Sequence, residues 1–127
     1  MRKKMITVAA TLLLLGLRSM VEQLSVDRLT SEAMEKTQEI LFLLAQSEPE
    51  QGLERARAMD AWWDEEAPNA EMIINHAATD DVRFTLSRLV AALEMGDRDD
   101  AFVYAHELEG NIEHVLERQE LSWQNLL

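Results

Sequence analysis

The 127-residue sequence has no cysteine, only four glycines and only two prolines. The absence of cysteine excludes disulfide bonds, thiolate metal sites and cysteine nucleophiles. A fold of many strands needs many tight turns, and such turns draw on glycine and proline, so their scarcity argues against a β fold. Because 47% of the residues are hydrophobic, the composition favours long helices joined by short loops, and we expect an all-α protein.

Basic residues are also few, and they are unevenly distributed. Four of the twelve lysines and arginines stand within the first 18 residues, whereas all 24 acidic residues come at Glu22 or later. The rest of the chain therefore carries eight basic against 24 acidic side chains, a formal charge of −16. Binding to a phosphate backbone requires clustered lysine and arginine, so we expect no nucleic-acid partner.

The first 21 residues have the pattern of a membrane-targeting segment. Arg2-Lys3-Lys4 precedes a largely apolar run without charges, from Met5 to Leu17, and this order is typical of a signal anchor or a signal peptide. No small-residue cleavage motif follows the run, so we expect residues 1–21 to remain as a single transmembrane anchor in contact with lipid. Because basic flanks stay inside, the N-terminus is then cytoplasmic and the body extracytoplasmic. The alternative is cleavage and secretion.

Apolar residues recur at helical spacing in residues 22–127 and predict an acidic, antiparallel bundle of about four helices that continues from the anchor. Ser47 is the expected N-cap of the second helix, with Pro49 in its first turn. That helix is expected to end near Glu66, because Pro68 disfavours helical geometry in the residue before it.

The third helix is expected to run from Pro68 to Met95, with Gly96 as its left-handed C-terminal residue and Asp97 as the N-cap of the fourth helix. The last ten residues are predicted to be an apolar tail that packs back on the bundle. A second apolar stripe on the third helix is expected to contact a further neighbour, and it consists of Ile73, Ala77, Phe84, Ala91 and Met95.

An ordered series of short motifs extends over nearly the whole chain. It comprises the tryptophan pair at Trp62, the stretches Asn75–Val82, Leu86–Leu89, Glu94–Asp97 and Ile112–His114, and finally Leu121–Asn125. Together with the hydrophobic leader, this series resembles the bacterial domain-of-unknown-function family 4363. The resemblance implies a small, N-terminally anchored helical protein, and it supplies no activity.

Two histidines and an aspartate form the candidate metal site. Because the third and fourth helices meet at Gly96, His76 is expected to lie level with residues near 117, within about a turn of His114. Asp80 follows one turn after His76. Imidazole and carboxylate groups together could hold zinc or respond to pH. The alternative is that His76 is hydrogen-bonded within the bundle and that the carboxylate is solvated.

Trp62 and Trp63 are the candidate partner-binding residues, because large aromatic side chains often anchor protein interfaces. The alternative places one of them in the core and the other half-buried against the tail. No nucleophile motif or phosphate-binding loop occurs, so we expect neither an enzyme nor a cofactor. The sequence thus predicts a non-enzymatic, membrane-tethered helical module with a structural or interaction role and a possible protein partner at the envelope. A metal- or pH-sensing domain is the alternative.

Overall fold

The computed structural model describes residues 1–70 and 76–126, with side chains up to residue 118. Within these ranges the chain forms four α-helices and no strand: α1 (Arg2–Ala45), α2 (Pro49–Ala70), α3 (His76–Glu94) and α4 (Arg98–Leu126). Each helix packs on the next along the chain, and α4 packs on α1, so the helices form a closed antiparallel bundle. The predicted all-α bundle, entered by a long N-terminal helix, is confirmed.

One buried stripe on each helix makes up the core, with steps of three and four residues as in other helical bundles. On α1 the stripe begins at Val26 and ends at Leu44. The largest buried side chain is Trp63, which is 1% exposed and whose indole N–H donates to the carbonyl oxygen of Thr79 at 3.4 Å. Many of the remaining core positions hold alanine or threonine, whose small size lets neighbouring helices approach closely.

The joint between α1 and α2 differs from the prediction for Ser47. This residue has a φ of 58°, and its backbone N–H donates to the carbonyl oxygen of Leu44 at 3.2 Å, while that of Glu48 donates to Leu43 at 3.0 Å. This pair of bonds is a Schellman motif, so Ser47 ends α1 and does not cap α2. The position of Pro49 in the first turn of α2 is as predicted.

The joint between α3 and α4 repeats the same motif with glycine in the left-handed position. Gly96 has a φ of 73°, and the N–H groups of Gly96 and Asp97 donate to the carbonyl oxygens of Leu93 and Ala92. The Asp97 side chain then accepts the N–H of Asp100 at 3.1 Å, which satisfies a free donor in the first turn of α4. Both caps predicted from the sequence at this joint are confirmed.

The predicted end of α2 near Glu66 is wrong, because α2 continues through Pro68 to Ala70. Pro68 lies in the last turn and has no N–H, so only the carbonyl oxygen of Asp64 loses its helical hydrogen bond. Asp64 lies on an exposed part of the helix. Burial of Ala67 and Ala70 favours the additional turn. The predicted start of α3 at Pro68 is also wrong, because Pro68 belongs to α2. The described part of α3 starts at His76, and residues 71–75 lie outside the described residues.

Two further expectations are corrected by the positions of side chains and helix ends. The second apolar stripe of α3 is not covered by a further helix of the described chain at Phe84 and Met95, which are 59% and 85% exposed; Ile73 lies outside the described residues. The last ten residues are the end of α4 and not a non-helical tail, because α4 continues as a helix to Leu126; their predicted packing on the bundle concerns side chains outside the described residues. In the ranges that the structure describes, the bundle has four helices, and the side of α3 that carries Phe84 is exposed.

Candidate functional site

The N-terminal part of α1 is a bare apolar helix. All of residues 1–18 are exposed, and the large side chains between Met5 and Leu17 are 51% to 73% exposed. By length and composition α1 is able to cross a membrane, and none of its most apolar 18-residue stretch is covered by the rest of the protein. Uncovered apolar surface of this extent marks a membrane or protein contact site.

Charged residues appear on α1 where the apolar run stops. The Arg18 Nε donates to Glu22 Oε1 at 3.1 Å, and ten residues further along the helix the Arg28 Nε donates to Glu32 Oε1 at 3.2 Å. Both pairs have i,i+4 spacing and are largely exposed, so each contributes little to stability. They delimit the transition from the apolar part of α1 to the part that packs in the bundle, which starts at Val26.

A groove of about 550 Å³ lies at this transition, between α1 and the end of α2. Both arginine–glutamate pairs line its α1 side, and Trp62 and Glu66 line its α2 side. The groove could not be predicted from the sequence, because these arginines and glutamates look there like ordinary residues of a solvent-exposed helix face. The groove has charges of both signs, so it lacks the uniform potential that would concentrate a single type of ion.

The two candidate partner-binding tryptophans have different surroundings. Trp63 is buried in the core, which corrects the prediction that it could anchor a partner. Trp62 is half-buried, and the Lys36 Nζ lies 5.0 Å from its ring centroid in a cation–π arrangement. The expectation that one tryptophan is core and the other half-buried is confirmed. Whether the tail contacts Trp62 concerns side chains outside the described residues.

The candidate metal residues are not brought together. In the described part of the chain no group of three or more histidine, aspartate and glutamate side chains could hold a metal ion. Asp80 accepts a hydrogen bond from Arg83 Nη1 at 3.0 Å, and the His114 Nδ1 lies 3.5 Å from Glu117 Oε2 on its own helix. The predicted cluster of His76, Asp80 and His114 is therefore corrected.

The physical reason is the rotation of α3 about its axis. His76 stands seven residues before Arg83, so the two share a face of the helix. The Arg83 Nε donates to Asp64 Oδ1 of α2 at 3.3 Å, which places this face towards α2. The side of α3 that meets α4 carries Thr85, whose hydroxyl oxygen accepts the Asn111 amide N–H at 2.6 Å. His76 thus lies on the opposite side of α3 from the surface that meets α4, and it is separated from His114.

A group of charges also surrounds Arg83 at the contact of α2 and α3. Arg83 bonds to Asp64 and Asp80, and Asp60 lies one turn before Asp64 on α2. Partial burial, and then the negative charge of Asp64, raise the pKa of Asp60, whereas Arg83 opposes that rise. The bond to Asp64 joins α2 to α3, whereas the bond to Asp80 lies within α3, and we assign this group to the packing of α2 on α3.

The architecture defines an antiparallel four-helix bundle whose first helix extends beyond it as an uncovered apolar rod. A family model described as domain of unknown function (DUF4363) matches residues 20–126. The chain therefore belongs to this family, as its motifs indicated. No curated protein and no solved structure matches the chain. The family match begins at Met20, so it contains the whole bundle and leaves out most of the apolar rod.

Proposed function

We propose that the protein is a membrane-tethered, non-enzymatic helical module that holds an acidic bundle at the outer surface of a cell membrane. In this proposal the N-terminal part of α1 crosses the bilayer with Arg2-Lys3-Lys4 on the cytoplasmic side. The bundle then stands outside the cytoplasm, where it has a structural or interaction role. The observation that carries the proposal is the uncovered apolar surface of residues 5–17.

The exposure of this segment supports insertion into lipid. The leucines from Leu12 to Leu15 are 56% to 67% exposed. Because they are consecutive, they point to all sides of the helix, so the helix is apolar and uncovered all round. A helix that is apolar on every side needs an apolar surrounding. Lipid supplies such a surrounding, and each fully covered large apolar side chain contributes about 1.5–3 kcal/mol.

The continuity of α1 supports a rigid connection between membrane and bundle. α1 has 44 residues and no break, so it is about 66 Å long at 1.5 Å per residue. The first buried residue of the bundle, Val26, comes without an intervening linker. A module joined in this way is held at a defined height, as a spacer or a docking platform requires.

The charge of the bundle indicates the kind of partner that it suits. Residues from Glu22 onwards carry a formal charge of −16. Complementary charge promotes encounter between proteins and excludes partners of like charge. A protein partner at the envelope with a basic surface would therefore fit this bundle, and nucleic acid would not.

Cysteine labelling in intact cells tests the proposed topology. The chain has no cysteine, so Gln51→Cys introduces a unique thiol at an exposed position of α2, at the end of the bundle away from the anchor. A membrane-impermeant maleimide is expected to label this variant in intact cells. Lys3→Cys is the matched control and is expected to react only after lysis. Labelling of Gln51→Cys only after lysis would contradict the proposed orientation.

A further inference from the structure

The groove between α1 and the end of α2 begins where the proposed membrane anchor ends. Its α1 side extends from Arg18 to Glu32 and includes Val21, the last residue of the anchor. The first residue of α1 that is buried in the bundle, Val26, follows five residues later. The groove has a volume of about 550 Å³, which is within the usual range for small-ligand sites. The headgroup of a neighbouring lipid can therefore reach it from the bilayer surface.

Arg28 provides hydrogen-bond donors on the α1 side of the groove. Its Nε donates to Glu32 Oε1 at 3.2 Å, and its side chain is 82% exposed. A guanidinium has five N–H groups, and this bond uses one of them. No described residue accepts a hydrogen bond from the two Nη nitrogens of Arg28. Because the guanidinium fork matches the geometry of phosphate oxygens, Arg28 can bind a phosphate while it keeps its bond to Glu32.

Glu66 provides a negative charge on the α2 side. The described residues that line the groove include two arginines and three glutamates. Each arginine is paired with a glutamate of α1, whereas the Glu66 side chain has no hydrogen bond or ion pair within the described part of the chain. The carboxylate of Glu66 is therefore the charge that a cationic group in the groove would neutralise, and a primary ammonium would also donate hydrogen bonds to it.

The register of α1 and α2 places these two groups in the same part of the groove. The Lys36 Nζ lies 5.0 Å from the ring centroid of Trp62, which aligns the two antiparallel helices. One turn towards the anchor from this contact, α1 carries Glu32 and α2 carries Glu66. Arg28 is bonded to Glu32, so it lies near the level of Glu66. Trp62 lines the same groove, and tryptophan is enriched at membrane–water interfaces.

We propose that this groove binds the phosphoethanolamine headgroup of a single lipid, with the phosphate on the Nη groups of Arg28 and the ammonium on Glu66. The inference rests on the proposed membrane insertion of α1. A headgroup with a phosphate and no cation would leave Glu66 unpaired beside an added negative charge. A choline headgroup has the cation but no N–H to donate. The bound lipid holds the base of the bundle at the bilayer surface.

Native mass spectrometry of the detergent-solubilised full chain tests the site. Phosphatidylethanolamine, phosphatidylcholine and phosphatidylglycerol with identical acyl chains are titrated separately, and the fraction of chains that carries one lipid gives each Kd. Glu66→Gln and Arg28→Gln alter the two groups that hold the headgroup. Glu65→Gln and Arg55→Gln are the matched controls, because both residues are exposed and Arg55 pairs with Glu39 outside the groove. Melting curves confirm that each variant is folded.

Phosphatidylethanolamine is expected to bind about tenfold more tightly than the other two lipids, the contribution of one charge-assisted hydrogen bond. Glu66→Gln should abolish this preference. Arg28→Gln should weaken all three lipids by about the same factor, because all three contain the phosphate. The two control variants should keep the Kd values of the parent chain.

Equal Kd values for the three lipids, or an unchanged preference in Glu66→Gln, would overturn the headgroup site. The proposed function would then still stand if carbonate extraction leaves the full chain in the membrane pellet. Displacement of the lipid by an equal concentration of soluble glycerophosphoethanolamine would overturn the lipid as the ligand. Release of the full chain by carbonate would overturn the anchor and, with it, the inference.

Discussion

The two halves of α1 obey the same helical geometry and differ completely in their surroundings. In residues 1–18 every side chain is exposed, and apolar residues occur on all sides. From Val26 to Leu44 only one stripe is buried and charged residues occupy the other side. The bundle half gains its stability from α2 and α4, whereas the N-terminal half has no protein neighbour among the described residues.

This difference shows how one uninterrupted helix can be suited to two different surroundings. The bundle half has the periodic pattern of a helix with one solvent-exposed side, and the N-terminal half has the uniformly apolar pattern of a helix without a polar side. The arginine–glutamate pair at residues 18 and 22 stands between the two. If the comparison is correct, substitutions in the N-terminal half leave the stability of the bundle unchanged. Substitutions in the bundle half then leave membrane association unchanged.

The largest expected effect is that of Trp63→Ala on the bundle. The side chain is 1% exposed, and truncation of a buried tryptophan costs about 3–5 kcal/mol in the free energy of unfolding. Trp62→Ala is the control, because its half-buried ring gives up less buried surface, together with its contacts to Lys36 and Trp63, and should cost less than Trp63→Ala. Urea unfolding gives both values. Equal losses for the two variants would refute the placement of the tryptophans, and neither variant should change membrane association.

A charge in the N-terminal half should have the converse effect. Leu14 is 66% exposed and lies near the middle of the apolar run, where arginine raises the free energy of insertion by about 2.5–3.5 kcal/mol. We expect Leu14→Arg to shift the chain from the membrane fraction to the soluble fraction without lowering the melting temperature of the bundle. Leu14→Ile is the matched control. Normal membrane recovery of the arginine variant would show that this half is not inserted.

A substitution at the joint between α3 and α4 changes the free energy of unfolding through backbone strain and not through side-chain packing. Gly96 has a φ of 73°, and a Cβ added there meets nothing within 4 Å. Gly96→Ala should therefore lower the free energy of unfolding by about 1–2 kcal/mol, through left-handed strain alone. The measurement is urea unfolding, with Ala91→Gly, at an exposed helical position, as the opposite exchange. An unchanged stability for Gly96→Ala would contradict the left-handed conformation.

The smallest expected effect concerns Asp60. Its raised pKa means that the folded chain retains the proton to a higher pH than the unfolded chain, so stability falls as pH rises through the interval above the ordinary aspartate pKa. We expect Asp60→Asn to be more stable than the parent at pH 7, and the difference to disappear at a pH below that interval. Thermal melts at several pH values measure this trend. Glu65→Gln, on the exposed side of α2, is the control.

The features that could be predicted from the sequence depend on neighbours in the chain. The number of helices and their buried stripes follow from apolar spacing, and Gly96 and Asp97 act within a few residues of their own positions. Ser47 was misassigned because serine commonly caps helices, whereas here its hydroxyl oxygen accepts Arg98 Nη2 at 2.9 Å. That contact joins residues 51 apart, and local spacing carries no information about it.

The candidate site was harder to predict, because it depends on the rotation of each helix. Counting from Gly96 gives the heights of His76 and His114, but not the directions in which they point. Arg83 contacts α2, and this contact establishes the rotation of α3 that separates the histidines. The apolar surface of residues 5–17 could be predicted because it needs no partner to define it.

Extraction of membranes at alkaline pH tests the anchor most directly. Carbonate removes peripheral proteins and leaves transmembrane helices in the pellet, so the full chain is compared with a version that begins at Glu22. The account predicts that the full chain stays in the pellet, and that the shorter version is released with the same helical content and melting temperature for its bundle. Release of the full chain by carbonate would contradict the membrane anchor.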